Sequence, residues 1–193
     1  MCKLIELCPR VAIWACSVGG QQGVAKIAAD IHTGLLGSGR EFSGQAHLAT
    51  VGHSFCLFTF NCDAAPDLTG RKRIMDLGGG SGAYCIIAAL TWPGISAVVL
   101  DLPPVVTVAR EFIAENGVSD RGTAESCDFT RGPFPSGCDV AIQASNLPIY
   151  DRETWTRVVA QVFDALEPGG EYHLIGEMLD DDRMGPIAPA MWG

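Results

Sequence analysis

Apolar and polar residues alternate with two different periods along the chain from about residue 71 onward. Short apolar runs predict buried strands at residues 73–77, 96–100, 123–128, 139–143 and 171–176. Amphipathic stretches predict helices at 82–90, at 103–115 and from Asp151 to the Pro168-Gly-Gly170 stretch. Strand and helix in alternation at this spacing indicate a parallel sheet with helices packed on both faces.

The predicted helix ends carry residues that suit them. Pro103 stands in a first turn, where its missing N–H costs nothing, and Gly117 follows a last turn. Asp151 is a good N-cap, and Pro168 cannot continue a helix. We therefore predict an α/β fold with a doubly wound, mostly parallel, Rossmann-like sheet. Such sheets bind ligands outside the carboxyl ends of their strands.

The first third of the chain follows neither period. Its densest apolar run is at 11–16, and short helices are expected at 22–31 and 47–60. We predict two parts: an N-terminal segment at 1–67 and a ligand-binding domain at 68–193.

A glycine-rich loop, Asp76-Leu-Gly-Gly-Gly-Ser-Gly82, follows the first predicted strand of that domain and opens its first helix. Glycine lets the backbone turn sharply and approach a ligand closely. Free N–H groups at a helix start favour a carboxylate or a phosphate. Since several nucleotide cofactors use such a loop, the residues after the other strands must decide between them.

Acidic and polar residues follow the next strands. Asp101 ends the second strand, where a carboxylate can accept both hydroxyls of a ribose. Asp128 and Phe129 follow the third, where an acid can accept from an adenine amino group and an aromatic ring can cover the base. Ser145 follows the fourth strand, at the cleft where a reacting group would sit.

These features together resemble the plant-and-bacterial-type small-molecule O-methyltransferases. These are class I S-adenosylmethionine-dependent enzymes, and they include acetylserotonin and hydroxyneurosporene methyltransferases. The resemblance covers about residues 68–192. It rests on the glycine loop, Asp101-Leu-Pro103, Cys127-Asp-Phe129 and Ala165-Leu-Glu-Pro-Gly-Gly170.

The resemblance implies S-adenosyl-L-methionine as cofactor and assigns its contacts. Gly78 and Gly80, beside Asp76, would approach the amino-acid end of the cofactor. Asp101 would hold the ribose, with Leu102 beside the adenine. Asp128 and Phe129 would flank the adenine ring.

The catalytic position departs from the family pattern. The family deprotonates the acceptor hydroxyl with a histidine after strand four, but Pro148 stands there in Leu147-Pro-Ile-Tyr150. Glu177 matches an acid that normally flanks that histidine. We considered Tyr150 and Glu177 as catalytic residues, and a core role for His173. Either Tyr150 or another residue moves the proton, or the acceptor needs no such base, or the protein binds cofactor without methylating anything.

The family also has parts at both ends that this sequence does not visibly match. One is a mostly helical N-terminal dimerisation domain, of which 1–67 would be a remnant. The other is a helix and two antiparallel strands after strand five. We expect these C-terminal strands to be missing and the methyltransferase domain to be incomplete, as in a truncated gene product or one that borrows a part from a partner.

Charge and cysteine content narrow the partners. The net charge is −9, which disfavours nucleic acid, and no basic run suggests a membrane surface. Eight cysteines show neither C-x-x-C spacing nor a completing histidine pair, so we expect reduced thiols in a cytoplasmic protein and no metal site. We expect a small-molecule acceptor and, from the family habit, a homodimer.

Three functions remain open from the sequence. The first is methyl transfer to a hydroxyl of a small molecule. The second is a non-catalytic S-adenosylmethionine-binding protein. The third is an NAD(P)-dependent oxidoreductase, because Gly78-x-Gly80-x-x-Ala83 fits that loop loosely, although Asp101-Leu-Pro103 argues against it.

Overall fold

The computed structural model describes residues 2–8, 11–16, 67–144, 146 and 150–175, the first two ranges as backbone. The helices expected at 22–31 and 47–60 lie outside the described residues, as do Ser145, Pro148 and Glu177. The described elements, in chain order, are β1 (Cys2–Cys8), β2 (Val11–Cys16), β3 (Arg73–Leu77), α1 (Ala83–Thr91), β4 (Ser96–Asp101), α2 (Pro103–Glu115), β5 (Gly122–Ser126), β6 (Cys138–Ala144), α3 (Arg152–Ala165) and β7 (Leu166–Ile175).

These strands form one sheet, with seven strands among the described residues in the order β1-β2-β7-β6-β3-β4-β5. The strands from β3 to β7 are all parallel. The chain moves outward from β3 through β4 to β5 and then returns to the other side of β3 with β6. The strand order therefore reverses between β3 and β6, which is where such sheets bind ligands.

Helices cover both faces, as the alternation predicted. Ile74, Val99 and Val140 face the apolar cluster formed with α1 and α2. Met75 and Ala141, one position along their strands, face the cluster that includes residues of α3. Because successive side chains of a strand point to opposite faces, both layers are built from the same short apolar runs. The doubly wound, mostly parallel fold is confirmed.

An N-terminal hairpin extends the sheet, which the sequence did not predict. β1 and β2 pair antiparallel, and β2 pairs parallel with β7 from Val11–Gly170 to Cys16–Ile175. The apolar run at 11–16 was visible in the sequence, but no pattern indicated its partner strand. The division at residues 67 and 68 stays a prediction.

The junction between α3 and β7 also differs from the prediction. Leu166 was expected within the helix, but it has extended dihedral angles, and the strand is assigned from that residue. Pro168 explains this early end, because the residue before a proline is disfavoured in helical conformation. The ladder with β6 shifts register between Cys138 and Val140 and becomes regular at Glu171, where the strand was predicted. No helix in the described part of the chain is both long and apolar enough to cross a membrane.

Gly82, which precedes α1, tests how the glycine loop is joined to the sheet. Its φ is +80°, and a Cβ there would lie 3.1 Å from Val99 Cγ2. We expect Gly82→Ala to lower the free energy of unfolding by more than the roughly 1–2 kcal/mol that a left-handed residue costs alone. Gly117 also has a positive φ, but no atom lies within 4 Å of a Cβ added there. Gly94 has neither a positive φ nor an atom within 4 Å of an added Cβ. Gly117→Ala and Gly94→Ala are therefore the matched controls. In denaturant titration, the loss of unfolding free energy should be largest for Gly82→Ala, smaller for Gly117→Ala and smallest for Gly94→Ala. Equal losses would show that neither the positive φ nor the contact with Val99 matters.

Candidate functional site

The candidate site lies at the carboxyl ends of β3, β4 and β6 and after β5. The glycine loop leaves β3 beside Asp101, the last residue of β4. Phe129 follows β5, and Asn146 follows β6. The topology thus brings together residues that lie far apart in the sequence, at the point where the strand order reverses.

The glycine loop has a conformation and surroundings that exclude larger residues. Gly78 and Gly80 have φ values of +66° and +58°. A Cβ on Gly78 would overlap the Asn146 amide and lie 3.0 Å from Phe129 Cε1. The loop therefore packs against two side chains as closely as a bare backbone allows, and glycine is required at its first position.

Asp76 lies beneath this loop rather than on its open side. Both carboxyl oxygens are buried, and neither has a hydrogen-bond partner among the described residues. A Cβ on Gly79 would collide with the Asp76 carboxyl group, so glycine lets the loop close over it. Burial, and second the negative charge of Asp101, raise the pKa of Asp76 from 3.8 to about 8. The acid therefore keeps its proton at neutral pH.

Asp101 joins the loop to the end of β4. Its Oδ2 accepts from the Gly80 N–H at 2.9 Å, and its Oδ1 accepts from the Leu102 N–H at 2.7 Å. A carboxylate has about four acceptor positions, two on each oxygen. Counting only donors in the described part of the chain, one position on each oxygen therefore remains for a ligand, which matches the two hydroxyls of a ribose. Leu102 is 53% exposed, so its side chain is available to an adjacent base.

Asp128 and Phe129 take different positions after β5. Asp128 is exposed, and its Oδ1 accepts from the Thr130 hydroxyl at 2.6 Å and from the Thr130 N–H at 3.1 Å. The Thr130 hydroxyl is the main reason that the pKa of Asp128 is lowered. Phe129 is buried and contacts the ring of Tyr150 edge to face, with 5.5 Å between centroids. The acid remains ionised at the surface, while the aromatic ring backs the glycine loop.

The Tyr150 phenol lies near enough to Asp128 and Asp101 for their charges to act on it. Burial, then Asp128, then Asp101 raise the pKa of its phenol. A raised pKa keeps the proton on Tyr150 at neutral pH, which suits a hydrogen-bond donor better than a base.

His173 is buried within β7, and its Nε2 lies 3.0 Å from Glu171 Oε2. Arg71, which precedes β3, forms an ion pair with the same glutamate. The Glu171–His173 pair is therefore joined to the amino end of β3, opposite the candidate site.

A buried chain of polar side chains beside the loop was not predicted from the sequence. The Tyr172 hydroxyl donates to Gln143 Oε1, and Gln143 Nε2 donates to Asn146 Oδ1 at 2.7 Å. Asn146 Nδ2 then donates to the Leu77 carbonyl at 2.8 Å. The signal in the sequence was Gln143, a polar residue that directly follows the apolar run of β6.

Together, the described residues suit an organic cation that carries a ribose and an aromatic base. The glycines offer a close backbone approach, Asp101 offers acceptor positions, and Asp76 is a buried acid without a donor. Within the described ranges, no group of three or more histidine, cysteine or acidic side chains could hold a metal ion. A glycine loop at the point where the strand order of a doubly wound α/β sheet reverses is typical of proteins that bind a nucleotide cofactor.

Comparison with known proteins shows the family. The model of the O-methyltransferase domain family matches residues 52–192, most of the chain. The chain belongs to this family, as the sequence motifs implied.

Curated relatives are enzymes of related but distinct specificity. The chain is 39% identical over 142 residues to 3-hydroxy-5-methyl-1-naphthoate 3-O-methyltransferase of Streptomyces sahachiroi, covering 70% of this chain and 41% of that protein. It is 34% identical over 125 residues to L-tyrosine C(3)-methyltransferase of Streptomyces lavendulae, covering 65% and 34%. The chain thus spans less than half the length of these relatives.

Solved structures agree on the fold. The S-adenosylmethionine-dependent methyltransferase SibL, in its apo form, matches with a TM-score of 0.64 and 31% identity, over 75% of this chain and 40% of that one. Human N-acetylserotonin methyltransferase, in complex with its cofactor, matches with a TM-score of 0.62 and 21% identity, over 86% and 52%. At that identity the human enzyme supports the fold alone.

The buried Asp76 carboxyl predicts a specific pH dependence of stability. Its pKa is about 8 in the folded chain and near 3.8 when exposed, so between these values the folded state holds one more proton than the unfolded state. Stability therefore falls as pH rises through that window, with a slope approaching about 1.4 kcal/mol per pH unit from this group.

Asp76→Asn removes this ionisation. We expect the variant to become steadily more stable than the wild type as the pH rises from about 4.5 to about 7.5. The free energy of unfolding of both proteins is measured by denaturant titration. Asp164→Asn, which changes an exposed carboxyl on α3, should follow the wild-type profile. If Asp76→Asn also runs parallel to the wild type, the acid is ionised in the fold and this assignment is wrong.

Proposed function

We propose that this chain is the cofactor-binding part of an S-adenosylmethionine-dependent methyltransferase that acts on a hydroxyl of a small molecule. The observation that carries the proposal is the Asp101 carboxylate, which holds Gly80 and keeps one acceptor position free on each oxygen. Family membership and the 39% identical O-methyltransferase support the reaction type. Because the chain spans 41% of that relative, the activity of a complete enzyme belongs to the proposal.

The residues at the switch point fit the cofactor. Asp101 would accept the ribose hydroxyls, Leu102 and Phe129 would enclose the adenine, and Gly78 and Gly80 would leave room for the amino-acid end. Asp128, exposed after β5, would accept from the adenine amino group. Ser145 stays a predicted contact from the loop after β6. When bound, the cofactor supplies an electrophilic methyl group on a sulfonium.

Electrostatics favour a cationic ligand here. Asp76 and Asp101 are close enough for their charges to interact. A bound cation would be attracted to the Asp101 carboxylate and would favour ionisation of Asp76, whereas the negative phosphates of a dinucleotide would be repelled. This arrangement supports a sulfonium cofactor over a dinucleotide.

Proton transfer from the acceptor would differ from the family pattern. Tyr150 keeps its proton and would orient the acceptor oxygen by donating a hydrogen bond. Glu177, after β7, stays a predicted catalytic residue. With Pro148 at the usual base position, the rate would come mainly from holding acceptor and cofactor in line. Acceptors with an acidic hydroxyl, such as phenols and naphthols, suit such a site because they ionise most easily.

The setting of the enzyme follows from the same proposal. The acceptor is a small molecule, as in the names of the relatives. We propose a cytoplasmic homodimer, the habit of the family. The three described free thiols, Cys85, Cys127 and Cys138, agree with a reducing compartment.

Calorimetry with S-adenosylmethionine tests cofactor binding. We expect Asp101→Asn to weaken binding by roughly 1–3 kcal/mol, because charged hydrogen bonds to the ribose are lost. Asp120→Asn, at an exposed carboxyl, is the matched control and should bind like the wild type. Tight NAD binding by the wild type with no response to S-adenosylmethionine would overturn the proposal and favour an oxidoreductase.

Transfer of a radiolabelled methyl group to a panel of phenols and hydroxynaphthoates tests the activity. If Tyr150 donates to the acceptor, Tyr150→Phe should lower kcat/KM by about threefold to tenfold while the cofactor affinity changes little. An abolished reaction would instead indicate that Tyr150 is the base. Clear cofactor binding with no transfer to any acceptor would favour a non-catalytic binding protein.

A further inference from the structure

The peptide group that starts the glycine loop is held from both sides. Its N–H, on Gly78, donates to the Leu100 carbonyl of β4 at 2.7 Å. Its C=O, on Leu77, accepts from Asn146 Nδ2 at 2.8 Å. A peptide with both groups bonded cannot rotate without breaking a bond to a neighbouring segment. The direction in which the loop leaves β3 is therefore set by these two contacts.

The second contact is extended by two further side chains, those of Gln143 and Tyr172. Gln143 lies near the end of β6, and Tyr172 lies on the neighbouring strand β7, opposite Ala141. Both side chains are almost fully buried. The hydrogen bonds run from Tyr172 through Gln143 and Asn146 to Leu77, across three adjacent strands.

The chain of hydrogen bonds has one direction. The Tyr172 hydroxyl keeps its proton, because burial raises its pKa. A donating hydroxyl places the Gln143 oxygen toward β7 and its NH₂ toward Asn146. That NH₂ in turn requires the Asn146 oxygen, which leaves the Asn146 NH₂ for the Leu77 carbonyl. Turning Gln143 over would set acceptor against acceptor at Asn146, and turning Asn146 over would set donor against donor at Gln143 and acceptor against acceptor at Leu77.

We propose that Tyr172, Gln143 and Asn146 are positioning residues for the cofactor loop, and that the Tyr172 hydroxyl raises cofactor affinity without touching the cofactor. The chain of bonds also ties the loop after β6, where the acceptor would react, to the loop that holds the cofactor. This inference rests on the proposed function. Its structural part, the holding of the Leu77–Gly78 peptide, is measurable without any ligand.

The first measurement is the affinity for S-adenosylhomocysteine, by calorimetry. Tyr172→Phe leaves the Gln143 oxygen without its donor, and we expect binding to weaken about threefold to tenfold, as for one lost hydrogen bond. Gln143→Met should weaken binding at least as much. The double variant should bind no more weakly than Gln143→Met alone, because both changes interrupt one chain.

Loss of stability alone needs a control. Val162, on α3, is fully buried in the same apolar cluster as Tyr172 but makes no part of the hydrogen-bonded chain. Val162→Ala should lower Tm at least as much as Tyr172→Phe and leave the affinity unchanged at a temperature well below either Tm. Equal weakening by Val162→Ala would show that packing, not positioning, is responsible.

The second measurement is hydrogen exchange of the Gly78 amide in the free protein. Tyr172→Phe should speed this exchange, and Val162→Ala should change it much less. If the wild-type chain binds no S-adenosylhomocysteine, the proposed function and the affinity claim are both wrong. The exchange rate of the Gly78 amide then tests the positioning role by itself. Wild-type affinity in Tyr172→Phe, additive effects in the double variant, or unchanged Gly78 exchange would each overturn the inference.

Discussion

The candidate site depends on the Leu77–Gly78 peptide, which ends β3 and begins the glycine loop. β3 lies inside the parallel part of the sheet, with β4 on one side and β6 on the other. The peptide is bonded toward both neighbours, to Leu100 and to Asn146. With its first peptide held, the loop turns through left-handed glycines and meets Asp101. The point where the strand order reverses therefore holds a loop of defined shape.

The charges of the site follow from the same geometry. Asp76, one residue before Leu77, is carried under the loop, and Asp101 ends the adjacent strand. Two acids brought so close cannot both ionise cheaply when one is fully buried, which keeps the proton on Asp76. A cationic ligand bound beside these acids would favour the ionised form of Asp76 and lower its pKa.

Much of the fold was predictable because its strands and helices are local patterns. The strand at 73–77 and the helix at 103–115 agree with β3 and α2 as observed. Phe129 and Asp101 could be placed near the loop, since parallel strands end at one edge of the sheet. The junction between α3 and β7 was harder to predict, because Leu166 continues the apolar stripe of the helix whereas Pro168 already disfavours helical conformation.

Other features depend on long-range pairing, which no local pattern contains. Nothing in the run at 11–16 indicates β7 as its neighbour, since a parallel partner can lie anywhere in the chain. The burial of Asp76 beneath Gly79 could not be read from the loop motif, which suggests an open acid. Tyr172 and Gln143 lie 29 positions apart and meet only because β6 and β7 are adjacent.

The central claim is that the glycine loop at the β3–β6 switch point holds an adenosyl cofactor. Titration of the ¹⁵N-labelled chain with S-adenosylhomocysteine, followed by amide chemical shifts, tests it most directly. We expect large shifts at Gly78, Gly80 and Leu102, and none at Gly117, which follows α2, or at Gly169, near the amino end of β7. Shifts confined to other residues, or no shift at any ligand concentration, would contradict it.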